Sequence, residues 1–385
     1  MRSVSPAEVS ASPLQSTRGA GSAAVSPPMP VNAATIRRAP RLPLVCLIAG
    51  RNLGDTVVMS NFLRQLVRRG FADAYLVWTR PQLEFLFSDL PGCEVVTSAF
   101  PVGTSKNFGG AAVLRFLRAA LLIRRRRPAM TIDLTGDVRE RCFARLLGAA
   151  RHVHIGWADD HAYNRLIRNP LGKGHPLITV PAQVASVYAA YEQFLHALVP
   201  DDAGEAPSPG ERDQAPAGSA LRVGIHPYAS QPSKLWPEES WRQLIAALLD
   251  RGTHVVAFAA PAERAALRAL LGELADRIEL RTGPLPQFAA DLRSVHLLVG
   301  LDSFAVHMAA SQGLPTLMIN GGTPPGLWTA PSGRILASSG GCAHYPCFNT
   351  APCRGTVHEN ACVRAISPAT VLADIEAMRK ELGFG

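Results

Sequence analysis

Leu44-Val45-Cys46-Leu47-Ile48-Ala49-Gly50-Arg51-Asn52-Leu53-Gly54-Asp55 is the first stretch of the chain with a clear structural period. Residues 44–48 form a short apolar run that fits a strand buried on both faces. A glycine-bounded loop follows. Val58, Phe62 and Leu66 then recur every four residues beside Met59 and Leu63, the spacing of a helix with one apolar face. Strand, loop and helix in that order open a parallel sheet. Residues 75–78, 130–134 and 153–155 read as further strands of the same kind, so the predicted class is α/β with helices on both faces of the sheet.

The alternation restarts in the second half. Strands are expected at 221–225, 253–258, 277–280, 295–299 and 316–319, with helices beginning near Glu238, Ala262, Leu285 and Ser303. Between them, residues 201–220 are dense in Pro, Ala and Gly and carry Asp201, Asp202, Glu205, Glu211 and Asp213, the composition of an interdomain linker. Residues 1–40, rich in Ser, Ala and Pro, have the composition of a disordered tail. The expected organisation is therefore a tail over 1–40, one doubly wound domain over 41–200, the acidic linker, and a second domain over 221–385 that ends in a closing helix.

The chain has 385 residues, 47% hydrophobic and 18% charged, enough for two domains that each bury a core. Its formal charge is +9, with an unbroken basic run at Arg124–Arg127. Positive charge attracts nucleic acid, anionic lipid and phosphorylated substrates alike. No interleaving of aromatic and basic residues suggests a base-stacking platform, so nucleic acid is not an expected partner. No apolar run is long enough to span a bilayer and the first thirty residues lack a secretory core, so the expected location is cytoplasmic. Leu114, Leu117, Leu121 and Leu122, with Arg118 and the arginine run, leave two readings open: a surface helix with a solvated basic end, or a helix lying on an anionic membrane.

Cys46, Cys93 and Cys142 sit singly among apolar residues and read as small core hydrophobes. Cys342, Cys347, Cys353 and Cys362 crowd one Pro- and Gly-rich stretch, yet their spacings match no C-x-x-C pair. Free thiols are the default there and zinc the alternative.

Four segments could carry chemistry. Asp55 stands in the first turn of the opening helix, as a general base or as a helix cap. Residues 226–237 set Ser230, Ser233 and Lys234 directly after a strand, where a lysine suits a diphosphate. Residues 297–307 run from a buried strand through Asp302-Ser303 into a helix bearing His307, and a helix start is a natural anion seat. Asn320–Gly326 is a further glycine-rich loop after a strand. No G-x-G-x-x-G follows the first strand and no G-x-x-x-x-G-K-[ST] occurs, which argues against dinucleotide oxidoreductases and P-loop enzymes.

Taken together, Leu53-Gly54-Asp55, Lys234-Leu235-Trp236-Pro237 with Trp241, Asp302-Ser303 with His307, and the Gly-Thr-Pro loop resemble the heptosyltransferase-like glycosyltransferases, family nine. Cys347, Cys353 and Cys362 ahead of the last helix look like that family's tail, and the likeness spans roughly residues 42–382. The resemblance implies a GT-B fold, two Rossmann-like doubly wound domains facing across a cleft, and metal-independent sugar transfer with inversion and no cofactor. The absence of a D-x-D carboxylate pair agrees. It implies a nucleotide-sugar donor of the ADP-heptose type and an anionic glycolipid acceptor, a lipopolysaccharide core or related surface glycan. Peripheral contact with the inner membrane follows from such an acceptor. By the same likeness, Asp55 is the base, and Ser230, Lys234, Glu263, Asp302, Ser303 and His307 bind the donor. Phe304 stands where members often carry glycine, and Ala259 and Ala260 lie in a stretch often containing it, departures that point to an altered donor. The competing expectation is a non-catalytic nucleotide-sugar-binding protein of the same fold.

Overall fold

The structure, a computed structural model, describes residues 15–17, 41–101, 109–167, 175–199, 220–348 and 352–384. The expected linker falls outside the described residues except for residue 220. So does the expected tail, apart from Gln15–Thr17 (β1).

Six parallel strands form the N-terminal sheet: β2 (Val45–Ala49), β3 (Tyr75–Thr79), β4 (Cys93–Thr97), β5 (Met130–Asp133), β6 (Arg151–Trp157) and β7 (Ile178–Val180). They are ordered β4-β3-β2-β5-β6-β7. The C-terminal sheet contains β8 (Arg222–His226), β9 (His254–Phe258), β10 (Glu279–Arg281), β11 (Leu297–Leu301), β12 (Thr316–Asn320) and β13 (Gly333–Ala337). These are parallel in the order β13-β12-β11-β8-β9-β10, and β1 pairs antiparallel with β13 at the edge. Helices α1 (Leu53–Arg68), α2 (Gly110–Arg125), α3 (Val138–Leu147), α4 (Ala162–Ile167) and α5 (Val187–Leu198) belong to the first half. The second half carries α6 (Glu238–Leu249), α7 (Arg264–Leu271), α8 (Leu285–Asp291), α9 (Phe304–Ser311), α10 (Ala361–Arg364) and α11 (Pro368–Glu381). This is the two-domain doubly wound α/β architecture that the alternating pattern predicts.

Four strands escaped the sequence reading: β1, which lies in the expected tail, and three others. β4 is an edge strand with only one fully buried residue, β7 has three residues, and in β13 Gly333 and Arg334 interrupt the apolar run. An edge position removes the two-sided burial that makes a central strand read as a continuous apolar run. The central strands β2, β3 and β11 are buried at every residue and were legible for that reason.

In each sheet the strand order reverses beside the first strand, between β2 and β5 and between β8 and β11. Ligands of open α/β sheets bind in the crevice beyond the carboxyl ends of the strands at such a switch point. Gly50 ends β2 there against Phe100; a side-chain carbon would lie 2.2 Å from that ring, so only glycine lets the loop turn toward the crevice.

Each half has an apolar cluster of its own, and a further cluster is shared between them. The shared cluster runs from Val58, Phe62 and Leu66 of α1 through Tyr191 and Phe194 of α5 to Val306 and Met308 of α9. α1 packs along α9, which joins the halves through their first functional helices. Ser186 Oγ donates to the carbonyl of Thr329 at 2.9 Å, and Val187 N–H donates to that of Leu327 at the same distance.

Candidate active site

The Lys234 turn is fixed from below. Trp236 is buried, donates its indole N–H to the carbonyl of Ile366 at 2.9 Å, and meets Trp241 edge-on with ring centroids 5.0 Å apart. These contacts hold the turn, and Lys234 projects from it. Its ammonium donates to Asp302 Oδ2 at 2.7 Å and to the Asp302 carbonyl at 3.2 Å. Thr323 Oγ1 donates to the same carboxylate oxygen at 2.5 Å. Burial would lift the Asp302 carboxyl, but Lys234 and Thr323 hold it below the ordinary aspartate value, so it is ionised.

Asp302 thus caps no helix. It anchors the lysine, and it ties the loops after β8, β11 and β12 into one unit. Those loops are adjacent because the strands are neighbours, and Gly321 lets two of them touch: a side-chain carbon there would lie 3.0 Å from the Ser233 carbonyl oxygen.

Ser303 occupies the cap position of α9 with extended backbone and no side-chain cap bond. Its hydroxyl is buried without a hydrogen-bond partner within the described structure. A buried polar atom beside free helix N–H groups is poised for a ligand's oxygen. Phe304 directs its ring edge-on to His226 and Phe288, with centroids 5.4 and 5.5 Å away. The bulky residue therefore packs against the β8 side of the domain.

His307, one turn on, lies at the seam between domains. Its Nδ1 is 2.9 Å from the Tyr188 hydroxyl of α5, and a side-chain carbon on Gly54 would come within 3.1 Å of its ring. With Tyr188 donating, Nε2 carries the ring proton and faces Gly54. Burial pushes the imidazole down to about 4, so at neutral pH it is an uncharged donor rather than the cation a diphosphate site would suggest.

Asp55 is the next residue after Gly54 in α1, half-buried, and the Asn52 backbone favours its ionised form. Burial raises its pKa above the ordinary value, against the pull of Arg51 and of Lys234 in the other domain. Asp302 reinforces the rise. The carboxylate of one domain therefore shares a field with the lysine and aspartate of the other. Behind it, Arg51 donates to Asp137 at 2.7 Å and to Glu140 at 2.8 Å, a buried ion pair that fixes the loop before α1. Tyr163 of α4 lies close enough for its own ionisation to be opposed by Asp55.

Ser230 and Glu263 stand apart from this group. Ser230 is exposed on the turn after β8, and Glu263 Oε2 accepts the Ala260 N–H at 2.9 Å. The structure brings together Asp55, Lys234, Asp302, Ser303 and His307. Sequence reading missed Tyr188, Thr323 and Arg51. Thr323 lay in a loop already singled out, whereas Tyr188 reads only as an apolar helix residue, and the Arg51 pair joins positions 86 and 89 residues apart. Among the described residues no cluster of His, Cys, Asp and Glu could hold a metal ion, the four C-terminal cysteines included.

Two buried histidines give the fold a pH dependence. His226 and His307 both sit near 4 because burial disfavours the charged ring, while the unfolded chain protonates near 6.5. As pH falls from 6.5 to 4 the unfolded state gains protons that the folded state refuses, so stability is lost across that window, by about 3 kcal/mol per histidine. Asp302 adds its loss only below its ordinary value of 3.8. The expected result is a melting temperature that drops steadily from pH 6.5 to 4, with a shallower drop in His226→Gln and in His307→Gln. An unchanged slope in both variants would remove the assignment.

The chain matches the model of glycosyltransferase family 9 (heptosyltransferase) over residues 117–357. It is 26% identical over 226 residues to lipopolysaccharide heptosyltransferase 1 of Pseudomonas aeruginosa, covering 58% of this chain and 61% of that one. The protein of the same name from Escherichia coli K12 is 30% identical over 181 residues, covering 46% and 49%. The chain thus spans about half to three fifths of the length of these curated relatives. Among solved structures, a family 9 glycosyltransferase from Veillonella parvula superposes with a TM-score of 0.65 at 16% identity, over 89% of this chain and 98% of that one. The E. coli heptosyltransferase WaaC with ADP-2-deoxy-2-fluoro heptose gives 0.61 at 17% identity, over 87% and 99%.

Proposed function

Because the chain belongs to glycosyltransferase family 9, we propose that it is an inverting, metal-independent glycosyltransferase. Its donor is a nucleotide sugar of the ADP-heptose type and its acceptor an anionic glycolipid of the lipopolysaccharide core class, used at the cytoplasmic face of the inner membrane. One observation carries the reading: the Asp55 carboxylate and the Lys234–Asp302 pair belong to opposite domains yet interact across the seam between α1 and α9. The names of the relatives, lipopolysaccharide heptosyltransferase 1, support the acceptor class.

The chemistry follows from that arrangement. An acceptor hydroxyl bound against the N-terminal domain loses its proton to Asp55 as its oxygen attacks the anomeric carbon. The bond from that carbon to the diphosphate breaks on the opposite side, and configuration inverts. Lys234, the Ser303 hydroxyl and the first N–H groups of α9 receive the departing negative charge, and neutral His307 can add one N–H. Asp302 holds Lys234 in place rather than touching the anion itself, since two negative groups would repel. Glu263, with one carboxylate oxygen spent on Ala260, keeps the other for the donor ribose, and Ser230 stands on the turn that carries Lys234.

A panel of nucleotides and nucleotide sugars tested by thermal shift addresses the donor. A ligand at a hundredfold its dissociation constant adds ~2.7 kcal/mol, so ADP and ADP-heptose should raise the melting temperature and uridine analogues should not. No stabilisation by any member of the panel would defeat the proposal.

A further inference from the structure

Among the described residues, eight large apolar side chains are more than a third exposed, and five of them, Val113, Leu114, Leu117, Leu121 and Leu122, lie on α2. A sixth, Leu146, lies in the last turn of α3, which packs against α2. Arg124 donates to the Leu146 carbonyl at 3.2 Å, which binds the two helix ends together. The opposite face of α2 is fully used: Ala112 is buried, and Phe116, Ala119, Ala120 and Ile123 are buried in a cluster with Trp78, Phe100 and Phe143. Core packing therefore does not account for the leucines. At 100° per residue, Val113, Leu114, Leu117 and Leu121 fall within about 100° of one another, a continuous stripe. Leu121 is 56% exposed and Leu114 49%, levels at which a solvated helix ordinarily carries polar residues.

Charge says what covers the stripe. α2 contains no acidic residue. Arg115 and Arg118 flank the leucines, Arg124 to Arg127 close the helix, and Arg145 stands exposed on α3; the acidic side chain bonded there is Glu94, with Arg126 at 2.9 Å. A leucine stripe bordered by arginines and free of carboxylates suits an interface where apolar groups sink below anionic headgroups. Nucleic acid would not reward the leucines, and a second copy of this face would set its arginines against each other.

We propose that α2 docks this chain onto an anionic lipid bilayer, with Leu114, Leu117 and Leu121 inserted and Arg118, Arg124 and Arg125 at the headgroups. The placement is directional. α2 follows β4, so its N-terminal turns lie at the carboxyl edge of the sheet where Asp55 stands, and the helix reaches about 24 Å away from it. A bilayer along α2 would present an embedded acceptor at the mouth of the site. The inference rests on the glycolipid acceptor proposed above, but its test does not use transfer.

The test is flotation of the full chain with vesicles of phosphatidylcholine alone and with one quarter phosphatidylglycerol. The wild type should bind the anionic vesicles and lose binding in high salt. Leu114→Ser/Leu117→Ser/Leu121→Ser should lower partitioning more than tenfold. Arg118→Gln/Arg125→Gln should lower it about 25-fold, at about fivefold per basic residue. Both variants alter exposed positions and should keep the wild-type melting temperature and the wild-type thermal shift with ADP, which reports the donor site separately. Equal binding by the wild type and the leucine variant would overturn the proposal. So would no binding together with a self-association, seen by sedimentation, that the leucine variant abolishes.

Discussion

Asp55→Asn should lower the rate of sugar transfer by about 10²- to 10⁴-fold, the span of a positioned general base, while leaving donor affinity within a factor of a few. Asparagine matches aspartate in size, so the start of α1 should survive. What it cannot do is take a proton. The carboxylate's pKa lies above the ordinary aspartate value because burial outweighs the pull of Arg51 and Lys234. The acid limb of the wild-type pH–rate profile should therefore lie higher than an exposed aspartate would give, and it should vanish in the variant. Donor binding measured by calorimetry separates chemistry from assembly: an enzyme keeps binding and loses turnover. Transfer by Asp55→Asn within tenfold of wild type would exclude this residue as the base, and absence of transfer in the wild type would favour a binding protein of the same fold.

Lys234→Met should destabilise the chain by about 3–5 kcal/mol, because it strands Asp302 as a buried charge with only Thr323 beside it. The pair is well enclosed, with side chains 14% and 3% exposed, so water cannot take the lysine's place. Donor affinity should fall about 10- to 100-fold, equivalent to ~1.5–3 kcal/mol for a charged hydrogen bond to the diphosphate. Stability and binding are separable here. Lys234→Met/Asp302→Asn removes both charges and should recover most of the stability, since a neutral replacement of a buried pair costs little, yet its affinity for ADP should stay low. A double variant that binds ADP like the wild type would show that the lysine serves only the fold.

Much of the fold was legible because burial writes a short-range signal. Residues 44–48 and 297–299 are apolar without interruption, and they became central strands covered on both faces. The edge strands β4 and β7 lack that two-sided burial and went unread, and β13 went unread because Gly333 and Arg334 break its apolar run. Of the site, the residues at strand ends could be found, since a polar residue directly after a buried strand has few reasons to be there. Their partners could not. Asp302 read as a donor-binding residue at a helix start; only the neighbouring loops show it gripping Lys234, 68 residues earlier. His307 read as a donor-binding residue, and burial at the seam beside Tyr188, 119 residues away, makes it neutral.

The α2 segment shows the division most plainly. Its sequence holds apolar residues on nearly every side and leaves open which of them enter the core. Packing of Phe116 and Ile123 against Trp78 and Phe143 settles the rotation of the helix and turns the remaining leucines outward. The sequence alone determined the alternation of strands and helices, the positions of the loops after the strands and the family, because those depend on neighbours a few residues away. Tertiary structure alone decided which charges are paired, which histidine is neutral and which apolar face is left uncovered. Electrostatic and packing energies depend on distance in space, and the chain brings remote residues together only when it folds.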